Sequence, residues 1–154
     1  MNIGIIVFSQ TGNTDQVGGI LQEKLIAEGH KAELESIIIN SDARPGAREF
    51  QIINAPDVEQ YDAIIFGAPV QAFSAAQVMV RYLASLASLQ GKKVGCYVTK
   101  QLPFNWTGGN RAISQMQGAC EAKGASVYAT GIIHWQSKDR DKVILQCVEN
   151  LSKV

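Results

Sequence analysis

The chain has 154 residues, the size of one domain with a full hydrophobic core, and we predict a single domain over residues 1–154. Its composition, 46% hydrophobic and 18% charged, is typical of a globular protein. Fourteen basic and fourteen acidic residues cancel, and neither sign forms long runs. This balance argues against nucleic acid or an anionic membrane as the main partner.

The cysteines and the apolar stretches exclude further classes of protein. Cys96, Cys120 and Cys147 are too few and too scattered for a disulfide framework or a zinc site, and their apolar surroundings predict buried thiols. A first strand that starts at Ile3 leaves no room for a signal peptide, and no apolar stretch approaches the ~20 residues of a membrane span. We therefore expect a cytoplasmic protein that does not enter the membrane.

Short apolar segments alternate with amphipathic ones along the chain. We predict strands at residues 3–8, 31–39, 61–67, 93–99 and 126–134. Helical spacing predicts helices that end at Gly29 and Gly124, one that follows Ser74 as a candidate N-cap, and one over residues 139–151. A segment rich in turn formers separates the second and third strands, with a short helix predicted at residues 47–53. This alternation implies right-handed crossovers and a parallel sheet covered on both faces.

The first strand leads directly into a polar turn, loop one (residues 9–14, S-Q-T-G-N-T), and then into a helix. The first N–H groups of a helix lack intrahelical partners and carry partial positive charge, so this arrangement binds phosphate groups. Gly12 allows the backbone to approach an anion, and Ser9, Thr11 and Thr14 supply hydroxyl donors. The turn matches neither G-x-x-x-x-G-K-[ST] nor G-x-G-x-x-G and contains no Lys or Arg, so it suits a phosphate monoester. An ordinary strand-to-helix turn with a capping residue is the alternative.

Loop one matches [ST]-x-T-G-x-T, the phosphate loop of the flavodoxins, and the chain resembles that family over nearly its whole length. The Y-D-A-I-I-F-G run at residues 61–67 and the loop after the fourth strand occur in the family's order. No long insertion interrupts residues 126–134, so the chain is most similar to the short-chain type. The resemblance implies a three-layer α/β/α flavodoxin-like fold, a five-stranded parallel sheet in the order 2-1-3-4-5, and FMN as cofactor. Ligands of such sheets bind outside the carboxyl ends of the strands, where the strand order reverses.

The resemblance also implies which residues bind the cofactor. The phosphate would lie on loop one, at Ser9, Gln10, Thr11, Gly12, Asn13 and Thr14. The ring would lie between loop two (residues 67–73) and loop three (residues 99–109). The expected contacts are Pro69, Val70, Gln71, Ala72 and Phe73 on loop two, and Thr99, Lys100, Gln101, Phe104, Trp106 and Gly108 on loop three. We predict no catalytic residue and no metal site.

A flavin ring needs flat apolar contacts on its faces and main-chain donors and acceptors along its polar edge. The candidates for the faces are the aromatic residues Phe73, Phe104 and Trp106. The candidates for the edge are the main-chain groups of Gln71, Lys100 and Gln101. The alternative for each aromatic residue is a purely structural role, in which its side chain packs against the domain and anchors the loop.

The chain departs from typical flavodoxins in charge and in loop two. Flavodoxins are strongly acidic and carry acidic residues in loop three, whereas this chain is neutral and its loop three carries Lys100 and no Asp or Glu. Carboxylates near a reduced, anionic flavin should lower its redox potential, so we expect their loss to raise it. Many flavodoxins also place a glycine in loop two, where a peptide flips on flavin reduction. Residues 70–72 contain no glycine, and because positive φ is costly for such residues we expect that flip to be disfavoured.

The predicted function is electron transfer by a low-potential FMN carrier, acting on redox partner proteins or small-molecule electron acceptors, as a monomer or homodimer. The alternative is a flavodoxin-like NAD(P)H-dependent reductase of quinones or flavins, in which Lys100 and Arg111 would help to hold the dinucleotide. The preferred interpretation of each of these two residues is a solvated surface charge. A receiver domain is disfavoured, because the ends of the first and third strands lack clustered carboxylates. His134, on the predicted edge strand, is interpreted as a structural or surface residue remote from the site.

Overall fold

The computed structural model describes residues 1–40, 49–102 and 108–154. In chain order the elements are β1 (Asn2–Val7), α1 (Asn13–Ala27), β2 (Lys31–Ser36), β3 (Ile38–Ile39), β4 (Ile52–Asn54), β5 (Ala63–Gln71), β6 (Ser74–Ala75), α2 (Gln77–Ser85), β7 (Lys93–Lys100), α3 (Gly109–Ala122), β8 (Ser126–His134) and α4 (Arg140–Leu151). None of the helices in the described ranges is long and apolar enough to cross a membrane.

The central sheet has the strand order β2-β1-β5-β7-β8, and each neighbouring pair is parallel. This confirms the predicted parallel sheet and the order 2-1-3-4-5. In the register, Ile5 of β1 pairs with Leu34 of β2 and with Ile65 of β5. The carboxyl ends of β1, β5 and β7 therefore lie side by side, which brings loops one, two and three to one edge of the sheet.

Helices cover both faces of the sheet, because alternate side chains of the strands point to opposite faces. On one face α1 and α4 pack against a core that includes Ile3, Ile5, Val7, Leu21, Leu25, Cys147 and Leu151. On the other face α2 and α3 pack against a core that includes Ile6, Phe66, Met79, Leu83, Val98, Ile113 and Met116. Burial on both sides explains why β1 and the first part of β5 are apolar without alternation.

The three cysteines are free and buried, as predicted. Burial raises the pKa of the Cys147 thiol to about 12. A hydrogen bond with Cys120, together with burial, raises the pKa of Cys96 well above its usual value. Because the thiolate is the reactive form, Cys96 and Cys147 act as packing groups at neutral pH.

The segment between β2 and β5 differs from its prediction. The second strand of the sheet ends at Ser36, and Ile38–Ile39 pairs instead with Ile52–Asn54 as an antiparallel ribbon. The predicted helix at residues 47–53 is wrong at residues 49–53, which are irregular or extended, while residues 47–48 lie outside the described ranges. One reason is that β-branched isoleucines favour the extended conformation. Another is that two hydrogen bonds connect the ends of the ribbon, from the Asn40 N–H to the Gln51 carbonyl (3.0 Å) and from the Gln51 N–H to Oδ1 of Asn40 (2.9 Å).

The start of α2 also differs from its prediction. Ala76 is the N-cap of α2, whereas Ser74, the predicted cap, belongs to β6. The reason is that β5 runs past its predicted end at Gly67 as far as Gln71 and then turns back to pair with β6. A hairpin therefore occupies most of the segment that the sequence suggested was an irregular loop.

Candidate functional site

Loops one, two and three line a crevice at the carboxyl edge of the sheet. Its inner part, about 150 Å³, is lined by Gln10, Thr11, Asn13, Pro69, Val70, Gln71, Thr99, Lys100 and Gln101. Its outer part, about 140 Å³, is lined by Val70, Ala72, Phe73, Lys100, Gln101 and Leu102. Together the two parts approach the ~300 Å³ lower end of typical ligand pockets. A larger hollow of about 480 Å³ lies beside residues 55–59 and 85–92, at the opposite edge, where ligands of parallel sheets do not usually bind.

Loop one is shaped by Gly12 and Ser9. Gly12 is the N-cap of α1 and has the left-handed values φ 93° and ψ −12°, which explains why this position needs glycine. The hydroxyl oxygen of Ser9 accepts hydrogen bonds from the N–H groups of Gly12 (3.2 Å) and Asp15 (3.3 Å). The 15-residue helix α1 therefore begins at a fixed turn, with its positive end at the crevice.

Thr14 connects loop one to β7. Its side chain is buried, and its Oγ1 lies 2.9 Å from Oγ1 of Thr99. The Tyr97 hydroxyl donates to the Thr14 carbonyl at 2.7 Å. Burial raises the pKa of Tyr97 well above its usual value, so the phenol keeps its donor hydrogen. Of the three predicted hydroxyl donors, Thr14 therefore forms a buried hydrogen bond with Thr99. Ser9 holds the turn through its hydrogen bonds to main-chain N–H groups, and Thr11 is exposed.

Loop two contains a tight hairpin turn in a costly conformation. Val70 pairs with Ala75 and Gln71 with Ser74, which leaves Ala72 and Phe73 as the two turn residues. Both have positive φ, 51° and 62°. Such two-residue turns favour Asn-Gly, and left-handed non-glycine residues cost about 1–3 kcal/mol each. Positive φ is costly for residues 70–72, which contain no glycine, yet the hairpin imposes it on Ala72; the predicted effect on a peptide flip stays a prediction.

Contacts from α3 and its N-cap brace this turn. Gly108 has φ 117°, and a β-carbon there would lie 2.7 Å from the backbone of Phe73. The Ala75 N–H donates to Oε1 of Gln115 at 2.9 Å. Loop two also contacts loop one, since the Gln71 side chain donates to that of Gln10 at 2.8 Å. Contacts with α3 and with loop one therefore hold the turn in place, and they offset the conformational free energy of its two left-handed residues.

The start of loop three is held by residues at the end of β8. The Trp135 N–H donates to the Lys100 carbonyl at 2.8 Å, and Nε2 of His134 lies 3.1 Å from the Gln101 carbonyl oxygen. The Gln136 side chain donates to that of Gln101 at 2.9 Å. Sequence reasoning placed His134 away from the site because β8 is the edge strand. The register of β7 and β8, which the sequence does not specify, pairs His134 with Lys100 and so brings it to loop three.

Lys100 is the charged residue among the described residues that line the crevice. The residue is only 3% exposed, so its interpretation as a solvated surface charge is wrong, and its Nζ donates to the Leu102 carbonyl. Burial lowers the pKa of the amine. The predicted ring contacts Phe104 and Trp106 lie outside the described residues, whereas Phe73 is 58% exposed at the outer part of the crevice. The structure thus brings the described residues of the predicted site together, and their roles toward a cofactor stay predictions.

We predict that Ala72→Gly stabilises the protein by about 0.5–1 kcal/mol. Removing the β-carbon relieves a left-handed penalty of about 1–2 kcal/mol, which exceeds the entropic cost of a glycine. The matched control is Ala119→Gly, the same change within α3, which should destabilise by about 1 kcal/mol. Urea unfolding followed by circular dichroism measures both. Equal destabilisation by the two changes would show that the turn stores no strain.

The chain is similar to known proteins in its fold and has little sequence identity with them. No protein-family model matches the chain. No curated protein matches its sequence either. A flavodoxin from Streptococcus pneumoniae TIGR4 has 17% identity and a TM-score of 0.70, covering 99% of this chain and 98% of its own.

Two further solved structures have the same arrangement. A flavoprotein from Lactobacillus acidophilus NCFM, solved in complex with FMN, has 16% identity and a TM-score of 0.64, covering 95% of this chain and 97% of its own. A flavodoxin, WrbA-like protein from Agrobacterium tumefaciens has 15% identity and a TM-score of 0.67, covering 98% of this chain and 94% of its own. With the sheet order and the three loops described above, these matches show that the chain has the flavodoxin-like fold.

Proposed function

We propose that the chain binds FMN in the crevice and transfers electrons through it. The observation that carries this proposal is the geometry of loop one. Gly12 has a left-handed conformation and the Ser9 hydroxyl binds its N–H, so the N-terminus of the long helix α1 points toward the carboxyl edge of the sheet. A neutral phosphate site of this kind suits the phosphate monoester of FMN. The FMN complex of the flavoprotein from Lactobacillus acidophilus NCFM supports the choice of cofactor.

The remaining walls of the crevice fit a flavin ring. Val70, Phe73 and Leu102 offer apolar contacts in its outer part. The main chain near Gln71 and Gln101 would supply polar groups at the ring edge, and the contacts from His134 and Gln136 keep Gln101 in position. FMN, when bound, supplies one- and two-electron chemistry, while the protein orients the ring and excludes water from it.

As the primary function we propose an electron carrier that exchanges electrons with redox partner proteins or small-molecule acceptors. The alternative, an NAD(P)H-dependent quinone or flavin reductase, is favoured by one observation, which is the buried cation Lys100 in place of carboxylates. The WrbA-like neighbour is consistent with a wider range of functions on this fold. The fold itself does not distinguish the two.

An assay of NADH and NADPH oxidation separates the carrier from the reductase. For a carrier we expect the FMN-loaded protein, mixed with a soluble quinone, to oxidise either nucleotide no faster than free FMN at the same concentration. The reason is that a carrier needs no second site for a dinucleotide beside the ring. Turnover well above free FMN, saturating in nucleotide, would contradict the carrier and establish the reductase.

We predict that Gly12→Ala weakens FMN binding at least tenfold. A β-carbon at φ 93° forces the turn to change, which moves the N–H groups that would hold the phosphate. The matched control is Gly91→Ala, since Gly91 also has positive φ (76°) and open space around its Cα but lies at the opposite edge of the sheet. Both variants should lose similar stability, about 1 kcal/mol.

Titration of FMN with each protein, followed by the quenching of flavin fluorescence, measures the dissociation constants. A wild-type protein that does not bind FMN would contradict the proposed function outright. Equal affinity of Gly12→Ala and Gly91→Ala would show that loop one does not hold the phosphate.

A further inference from the structure

We propose that the β8 clamp, the segment of residues 134–136 at the end of β8, sets the affinity of the crevice for the flavin ring. It does so by fixing the peptide groups on both sides of Gln101, which lines both parts of the crevice, whereas the clamp lines neither. This inference rests on the proposed function and deepens it, because it assigns ring affinity to positioning residues that do not touch the cofactor. It also specifies the main-chain atom of loop three that would bind the ring.

The β8 clamp holds Gln101 at three points. The Trp135 N–H donates to the carbonyl of Lys100, which precedes Gln101, at 2.8 Å. Nε2 of His134 lies 3.1 Å from the Gln101 carbonyl oxygen, and because a carbonyl only accepts, this nitrogen carries a hydrogen. The Gln136 side chain donates to Oε1 of Gln101 at 2.9 Å. Both peptide groups that flank Gln101, and its side chain, are therefore bonded to the same segment.

The clamp is itself anchored to the first turn of α4. The Arg140 guanidinium lies 4.9 Å from the centre of the Trp135 ring and donates to the Trp135 carbonyl at 3.2 Å. The Ser137 N–H donates to the His134 carbonyl at 3.2 Å, and the Arg140 N–H donates to the Ser137 carbonyl at 3.2 Å. Because α4 begins at Arg140 and packs against the sheet, Gln101 is connected through the clamp to a regular part of the fold.

The fixed peptide determines where the Gln101 N–H points. In a planar trans peptide this N–H is directed opposite to the carbonyl of Lys100. That carbonyl faces β8, so the N–H faces the β5 side of β7, where Pro69 lies beside Thr99 and the inner part of the crevice begins. Within the described ranges no residue accepts a hydrogen bond from it. This donor suits an acceptor atom of the ligand, such as a carbonyl oxygen at the polar edge of a flavin ring.

Riboflavin has the flavin ring and no phosphate, so its affinity measures the contribution of the clamp. His134→Phe keeps a flat ring at this half-buried position and removes the donor to the Gln101 carbonyl. We expect the affinity for riboflavin, measured by the quenching of flavin fluorescence, to fall about 3- to 10-fold, the size of one lost hydrogen bond. Affinity for FMN should fall by the same factor, because loop one is unchanged. His134→Gln, whose amide can donate to the same carbonyl, should restore most of the affinity.

A second measurement distinguishes the positioning of Gln101 from a general effect on stability. In the isotope-labelled wild-type protein, the amide proton resonance of Gln101 should move downfield when riboflavin is added, because the proton gains an acceptor. In His134→Phe that shift should be smaller. Gln136→Ala removes an exposed side chain and its bond to Gln101, so it should also weaken riboflavin binding, and it keeps the test available if His134→Phe does not fold.

The matched control is His30→Phe, the same change at the other histidine of the chain. His30 follows α1 at the opposite edge of the sheet, where its Nδ1 lies 3.3 Å from the N-terminal nitrogen of Met1. Its affinity for riboflavin should equal that of the wild type. Unchanged riboflavin affinity in the folded clamp variants, or a Gln101 amide that does not respond to riboflavin, overturns the inference and leaves the proposed function intact. Failure of the wild type to bind FMN overturns both.

Discussion

Buried hydrogen bonds between β7 and the first turn of α1 hold the crevice in shape. From β7, the Tyr97 side chain passes over Gly67 of β5, where a β-carbon would overlap its ring, and donates to the Thr14 carbonyl. Two residues farther along β7, Thr99 bonds the Thr14 hydroxyl. Leaving either buried partner unpaired would cost about 1–3 kcal/mol. Loop one therefore has a fixed position over the ends of β5 and β7, and the phosphate site and the ring site are set relative to each other.

The features that lower the stability of the folded protein lie at the carboxyl edge of the sheet, next to the crevice. Ala72 and Phe73 adopt left-handed conformations, and Lys100 buries an amine. Strained backbone and buried charge persist where neighbouring contacts over-determine them, and they cluster at functional sites. Here the neighbouring contacts are visible: Gly108 and Gln115 brace the turn, and the Leu102 carbonyl accepts from the amine. At the opposite edge of the sheet, the described residues with positive φ are the glycines Gly29, Gly91 and Gly124, which adopt it at little cost. This contrast supports the choice of the carboxyl edge as the functional one.

Much of this arrangement could be predicted from the sequence, because it depends on local patterns. Wholly apolar runs indicated parallel strands, and S-Q-T-G-N-T after the first run indicated a turn that begins a helix. The hairpin at Ala72 could not be predicted, since tertiary contacts impose positive φ on residues that disfavour it. The ribbon of β3 and β4 and the contact of His134 with Gln101 likewise depend on pairing between distant segments. Phe104 and Trp106, which were predicted from their place on loop three and from the resemblance to flavodoxins, lie outside the described residues.

The central claim is that loop one binds a phosphate monoester carried by a flavin. The most direct measurement compares FMN with riboflavin, which has the same ring and lacks the phosphate, in one fluorescence titration of the wild-type protein. Two hydrogen bonds to a charged group, worth about 1.5–3 kcal/mol each, predict that FMN binds at least about 100-fold more tightly than riboflavin. Equal affinity for the two, or binding of neither, would contradict the account.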